Sequence, residues 1–175
     1  NSLAELIFTE NSLFFDIETT GFSAARTSLY LIGCAARKEN LLIVDQFFAE
    51  TPADESDVLH AFLDYLQNFD TIITFNGIGF DIPYLTNKCQ KYKIPEPFSA
   101  YEYVDIYKMI SGFRFLFALP NLKQKTVEQF IGLEREDAYN GGELIDVYKA
   151  CQKNPDKKLI SLLKQHNYED VIDMP

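Results

Sequence analysis

The 175-residue chain reads as an α/β protein, a mixed sheet of about five strands with helices on both faces. Three observations predict this. Apolar, β-type runs crowd the first 50 residues. Later β-type runs alternate with stretches whose apolar residues recur at helical spacing. The composition, 47% hydrophobic and 14% aromatic, demands a packed core, and no repeat, linker or low-complexity segment interrupts it.

Leu3, Leu6, Ile7 and Phe8 carry a weak apolar signal and predict a short packing segment. Residues 12–18 form the first strand, and residues 21–27 a small-residue loop holding Arg26. Residues 29–36 and 41–48 read as two strands joined by the polar turn Arg37-Lys38-Glu39-Asn40. Thr51-Pro52-Ala53-Asp54 has the order of a helix start: a capping threonine, proline at the first position and an acid in the first turn. The following helix buries Val58, Phe62, Tyr65, Leu66 and Phe69. His60 lies off that stripe and reads as a surface histidine.

Residues 71–75 form a short buried strand running into Asn76-Gly77-Ile78-Gly79-Phe80-Asp81, then a helix to about Tyr92. The Gly-x-Gly here lacks the third glycine of a dinucleotide fingerprint and the Lys-Ser/Thr of a P-loop, so it reads as a turn. A strand at 101–104 leads into Asp105 and another helix. Phe113-Arg114-Phe115-Leu116-Phe117 reads as core or interface packing. Asn121 is placed as the cap of a helix ending near Gly132. Asn140-Gly141-Gly142 precedes a helix with Leu144, Ile145, Val147 and Tyr148, and Asn154-Pro155-Asp156 is read as the start of the last helix.

The net charge of −10 argues against a non-specific nucleic-acid coat protein, which would need a basic footprint. It leaves room for an enzyme whose acids hold cations and whose local basic rim (Lys123, Lys125, Arg135) meets phosphate. No apolar run reaches the roughly 18 residues of a membrane span, and no secretory pattern opens the chain. Three widely spaced cysteines without a Cys-x-x-Cys pair argue for reduced thiols in a cytoplasmic setting and against structural zinc. The length fits one domain over residues 1–175, and the start at Asn1 fits a fragment of a longer chain or a processed form.

Acids carry the chemistry. Asp16 and Glu18 sit two apart in the first strand, so both carboxylates share a face while Phe15 and Ile17 take the other. Like charges that close favour a shared cation or proton; the alternative is two solvated acids at a strand end. Asp81 follows a strand and a glycine turn, where open α/β sheets place ligands, and it also suits a helix N-cap. His166 and Asp170, four apart, share one helical face. That spacing fits a metal-binding acid with a base one turn away, or a surface ion pair.

Taken together, Phe15-Asp16-Ile17-Glu18-Thr19-Thr20-Gly21, Phe75-Asn76-Gly77-Ile78-Gly79-Phe80-Asp81 and His166-Asn167-Tyr168-Glu169-Asp170-Val171 resemble, in order, the three motifs of the DEDD superfamily of 3′→5′ exonucleases. The similarity is to its predicted exonuclease branch of bacteria and archaea. It implies a ribonuclease H-like fold, with the first three strands antiparallel and the later ones parallel. It implies that Asp16, Glu18, Asp81 and Asp170 bind two divalent cations, Mg²⁺ or Mn²⁺. His166 stands four residues before Asp170, where one subclass has tyrosine, so the chain reads as a histidine variant of the tyrosine subclass. Asn76 and Asp105 also recur in the family's pattern.

The chemistry implied is two-metal hydrolysis of phosphodiester bonds at single-stranded DNA or RNA 3′ ends, releasing nucleoside 5′-monophosphates. His166, neutral at pH 7 at its ordinary pKa of about 6.5, would orient or deprotonate the attacking water. Thr19, Asn76, Arg26 and Lys123 are candidates for substrate contact. Two alternatives remain beside this reading: a nucleic-acid- or protein-binding module that keeps the fold without turnover, and an endonuclease or oligonucleotidase relative.

Overall fold

The structure, a computed structural model, describes residues 7–39, 41–136 and 139–175. Leu3, Leu6 and Asn40, which figured in the predicted N-terminal segment and hairpin turn, lie outside them. Five strands form one sheet: β1 (Ser12–Thr19), β2 (Leu29–Lys38), β3 (Leu41–Phe48), β4 (Thr71–Thr74) and β5 (Glu102–Asp105). Their order is β3-β2-β1-β4-β5. β1, β2 and β3 run antiparallel in sequence, whereas β4 and β5 join in parallel. This is the ribonuclease H-like mixed sheet that the sequence predicts, and it puts β1 at the centre.

Six α-helices are described: α1 (Glu55–Leu66), α2 (Asp81–Tyr92), α3 (Ile106–Ser111), α4 (Gln124–Ile131), α5 (Gly141–Lys153) and α6 (Lys157–Ile172). The alternation of β1 sorts them. Leu13, Phe15 and Ile17 are buried in one core with Val58, Leu59 and Phe62 of α1 and Leu85 of α2. On the other face Phe14 packs with Val171 of α6. Tyr30 and Leu31 of β2 pack with Leu144 and Tyr148 of α5 and Leu163 of α6. Burying each such side chain contributes about 1.5–3 kcal/mol, so both faces of β1 are held firmly.

The structure corrects several local readings. α4 begins at Gln124 rather than beside Asn121; the Asn121 carboxamide oxygen instead accepts from Lys123 N and Thr126 Oγ1, ahead of the helix. Asn154 closes α5, and Asp156 caps α6 by accepting from Lys158 N. A chain leaving one helix uses the nearest residue to stop it, so Asp156 remains to start the next. The run 113–117 is not core: Phe113, Phe115 and Leu116 are exposed, while Phe117 packs on Phe113 and Phe130. The Thr51 start does form, as a short 3₁₀ turn in which Asp54 accepts from Thr51 N, and α1 follows it. His60 is exposed, as expected.

Candidate active site

The even residues of β1 carry the acids. Asp16 and Glu18 follow Phe14 on the face that meets α6, and a β-bulge between Glu18 and Thr19 ends the regular pairing with β2 just there. Bulges re-aim side chains at strand ends. From β4 the chain turns through Asn76, whose φ of 65° is left-handed, into α2. Asp105, at the end of β5, holds this turn: its carboxylate accepts from Asn76 N at 3.0 Å and Ile78 N at 3.2 Å, and also caps α3. The turn delivers Asp81 as the first residue of α2, so it is not the cap preceding the helix. Its Oδ1 accepts from Ile17 N of β1 at 3.1 Å, tying the second acidic element to the first.

α6 supplies the rest. His166 and Asp170 lie one turn apart, with His166 Nε2 3.3 Å from Asp170 Oδ2 and 3.5 Å from Glu18 Oε1. Glu18, His166 and Asp170 each offer a ligand atom within 4.8 Å of the others. Asn167, fully buried beside them, donates to Asp16 Oδ2 at 3.3 Å. Its own oxygen accepts from Gln46 Nε2 of β3 at 3.0 Å. Gly33, opposite Asp16 on β2, leaves the room: a Cβ there would sit 2.0 Å from Asn167 Oδ1.

The electrostatics are those of crowded acids. Burial, then the charges of Asp81, Asp170 and Glu18, push the Asp16 carboxyl well above its usual range, with the Asn167 amide pulling the other way. Burial pushes Asp81 up to about 7, against the lowering effect of the Ile17 N–H. Negative charge is therefore costly here unless a cation compensates it.

An open cleft of about 560 Å³ leads to this cluster, lined by Asp16, Phe75, Asn76, Tyr107, Arg114 and Lys123, among others, and by Asp170. Two sequence candidates, Asn76 and Lys123, lie on it. Thr19 and Arg26 do not line it; Thr19 Oγ1 is engaged with the Gly21 carbonyl at 2.9 Å, and Arg26 is exposed on its loop. Arg135 differs from its reading as a phosphate contact. Its side chain is only 7% exposed, with Nη1 2.6 Å from Asp170 Oδ1 and the other guanidinium nitrogens on Glu128. Lys125 Nζ turns to the Tyr139 carbonyl.

Sequence reading missed Gly33, Gln46, Glu128 and the role of Asn167. Asn167 lay inside a quoted motif, but no spacing links it to Gly33. Of the other cleft residues, Phe75 lay in the second motif and Arg114 in the aromatic run 113–117, but neither was read as cleft lining, and Tyr107 was not singled out.

A family model described as the RNase H superfamily matches residues 13–175. A DNA polymerase of Pyrococcus glycovorans is 33% identical over 94 residues, which are 49% of this chain and 12% of that one. Among solved structures, the family B DNA polymerase of Pyrobaculum calidifontis superposes with a TM-score of 0.74 at 19% identity, over 91% of this chain and 23% of that one. E. coli exonuclease I in complex with a dT13 oligonucleotide gives a TM-score of 0.57 at 16% identity, over 92% of this chain and 45% of that one. The chain thus spans less than half the length of each of these proteins, and the structural likenesses concern the fold.

Proposed function

The chain belongs to the RNase H superfamily, and on that premise we propose that it is a metal-dependent 3′→5′ exonuclease. It would hydrolyse the terminal phosphodiester bond of single-stranded DNA or RNA and release nucleoside 5′-monophosphates. The observation that carries this is the convergence of Asp16 and Glu18 from β1, Asp81 from α2 and Asp170 from α6. Burial first, and then the charges of Asp81, Asp170 and Glu18, raise the Asp16 carboxyl well above its usual range.

The donor set suits hard divalent cations. It is made of carboxylate oxygens with one imidazole at its edge, which fits Mg²⁺ or Mn²⁺ and lacks the thiolates that would favour softer metals. Asp16, Glu18, Asp81 and Asp170 would hold two such ions, whose bound charge lowers the pKa of water and offsets the charge that develops on phosphate. His166 Nε2 faces the same space and would orient the attacking water or accept its proton. Water oxygen attacks phosphorus while the P–O3′ bond breaks, and the 3′ oxygen takes up a proton. Phe75 and Tyr107, which line the cleft, would stack against bases there, and Arg114 and Lys123 would offer charge to phosphates. One domain over residues 1–175 and a cytoplasmic setting are part of the same proposal.

A second reading, a binding module without turnover, is favoured by histidine in the tyrosine's place and by the net charge of −10. One experiment separates the two. Asp16→Ala and Glu18→Ala are assayed with the wild type on end-labelled single-stranded DNA and RNA with Mg²⁺ or Mn²⁺. The exonuclease predicts stepwise shortening from the 3′ end by the wild type and loss of about 10³-fold or more in each variant. Equal digestion by wild type and variants, or none by the wild type, sinks it. Internal cuts would favour an endonuclease instead.

A further inference from the structure

Arg135 is the one arginine whose guanidinium reaches the acid cluster among the described residues, and it does so fully committed. Its Nε and Nη2 form a fork on the Glu128 carboxylate, with Nη2 2.6 Å from Oε1, and its Nη1 donates to Asp170 Oδ1 at 2.6 Å. Glu128 is itself buried, its side chain 4% exposed. Burial works against the charge of Arg135, but the carboxylates of Glu128 and Asp170 outweigh it and keep the guanidinium ionised.

The same helix also holds Asp170 by its backbone. Gln124 Nε2 donates to the Asp170 carbonyl at 2.7 Å. Gln124 and Glu128 are four apart on α4, one above the other on the face turned to α6. Gly132, at φ 88°, closes α4 and returns the chain so that Arg135 comes back beside Glu128. A non-glycine residue would be strained at that angle.

We propose that Gln124, Glu128 and Arg135 form a clamp that sets the Asp170 carboxylate, reserving Oδ1 for the guanidinium and presenting Oδ2 to the acid cluster. The inference rests on the nuclease reading above. An aspartate side chain rotates broadly about its terminal bond, so an unclamped Asp170 could offer either oxygen or both. With Oδ1 held, Oδ2 is the oxygen left beside His166 Nε2. Arg135 is thus a positioning residue that acts through Asp170.

Charge explains why Glu128 belongs to the device. A lone arginine would remove one negative charge from a cluster whose use is to attract cations. Its buried partner Glu128 returns that charge, so the pair orients Asp170 without weakening the field. A buried ion pair is a poor device for stability alone, because desolvation offsets much of its attraction. Fixing one geometry is what such a network does well.

The test uses the full chain and Arg135→Lys, which keeps the charge and loses the fork. Three quantities are read: Mn²⁺ affinity by titration calorimetry, kcat and KM on a single-stranded oligonucleotide, and melting temperature. The clamp predicts that Arg135→Lys folds, that Mn²⁺ affinity and kcat each fall about 10-fold or more, and that KM stays within about twofold. Millimolar methylguanidinium should restore part of the kcat of Arg135→Ala. If Arg135→Lys does not fold, Glu128→Gln, which keeps the shape of its partner, carries the same readouts. A rise in KM alone overturns the proposal and returns Arg135 to phosphate binding; unchanged affinity and kcat make the network mere scaffold. If the wild type binds Mn²⁺ but releases no nucleotide, the nuclease reading fails and the Mn²⁺ comparison still decides the clamp. If it binds no Mn²⁺, both fall.

Discussion

Gly33 of β2 and Asn167 of α6 are in contact across the face of the sheet, and no larger residue fits between them: a Cβ on Gly33 would lie 2.0 Å from Asn167 Oδ1. The contact lets α6 descend far enough for the Asn167 amide to reach Asp16 at 3.3 Å, while its oxygen accepts from Gln46. One hydrogen atom in place of a methyl thus governs how closely the helix bearing His166 and Asp170 approaches the strand bearing Asp16 and Glu18.

Gly33→Ala should therefore injure the site more than the fold. Overpacking of this kind costs about 1–3 kcal/mol, and displacing Asn167 should lower activity about 10-fold or more. Because the three atoms nearest such a Cβ all belong to Asn167, the double variant Gly33→Ala/Asn167→Ala should be less destabilised than the sum of the two single ones. Chemical denaturation of the four forms checks this. Strict additivity would show that the Gly33 contact does not act through Asn167.

His166 stands between two acids, 3.5 Å from Glu18 and 3.3 Å from Asp170, at distances open to either a base or a ligand. As the base, its replacement in His166→Ala should cost about 10²–10⁴-fold in kcat and change Mn²⁺ affinity by no more than about threefold. Calorimetry and single-turnover assays on one preparation decide it. Equal losses in both would make His166 a metal ligand.

Away from the site, Lys88 is buried on Glu55, with Nζ 2.6 Å from Oε1 and 2.5 Å from the Thr27 carbonyl, while Glu55 also receives Leu29 N at 2.6 Å. The pair anchors the loop that follows Thr19 to α1 and α2. Glu55→Leu leaves Lys88 buried without its carboxylate partner, at a cost of about 3–5 kcal/mol, so the melting temperature should drop by at least about 6 °C. The pH profile of the metal-free protein follows from the same residues and the acid cluster. Asp81 titrates at about 7 when folded and 3.8 when unfolded, so the native state binds the extra proton between those values. Stability then rises as pH falls from about 7 toward 4. The Glu55 carboxyl is shifted the other way: burial tends to raise it, but Lys88, Lys91 and Tyr92 outweigh that and hold it below 4.5. Its contribution is present above pH 4.5 and is lost on further acidification. Melting temperature in EDTA should therefore peak near about pH 5, and excess Mn²⁺ should flatten the fall toward pH 8. A melting temperature that climbs from pH 5 to 8 in EDTA would refute the assignment.

Much of this was legible in the sequence because it depends on local periodicity. The alternation in β1 by itself places Asp16 and Glu18 together opposite Phe15 and Ile17, and helical spacing places His166 over Asp170. Strand and helix order alone predicts the mixed sheet, since a short turn after residue 36 forces an antiparallel neighbour and a helix after β4 permits a parallel one. Boundaries were less legible: Asn154 and Asp156 compete for two helix ends two residues apart, and only packing decides which residue serves which.

What only the tertiary structure decided are relations between residues far apart in the chain. The sequence determines which side chains can bind a cation and which face each lies on. It does not determine that Gly33 admits Asn167, that Asp105 holds the turn before Asp81, or that Arg135 faces Asp170 instead of phosphate. Each of these depends on the distance between two packed elements. That distance is set by summed side-chain volumes across the interface, which no single stretch of sequence contains.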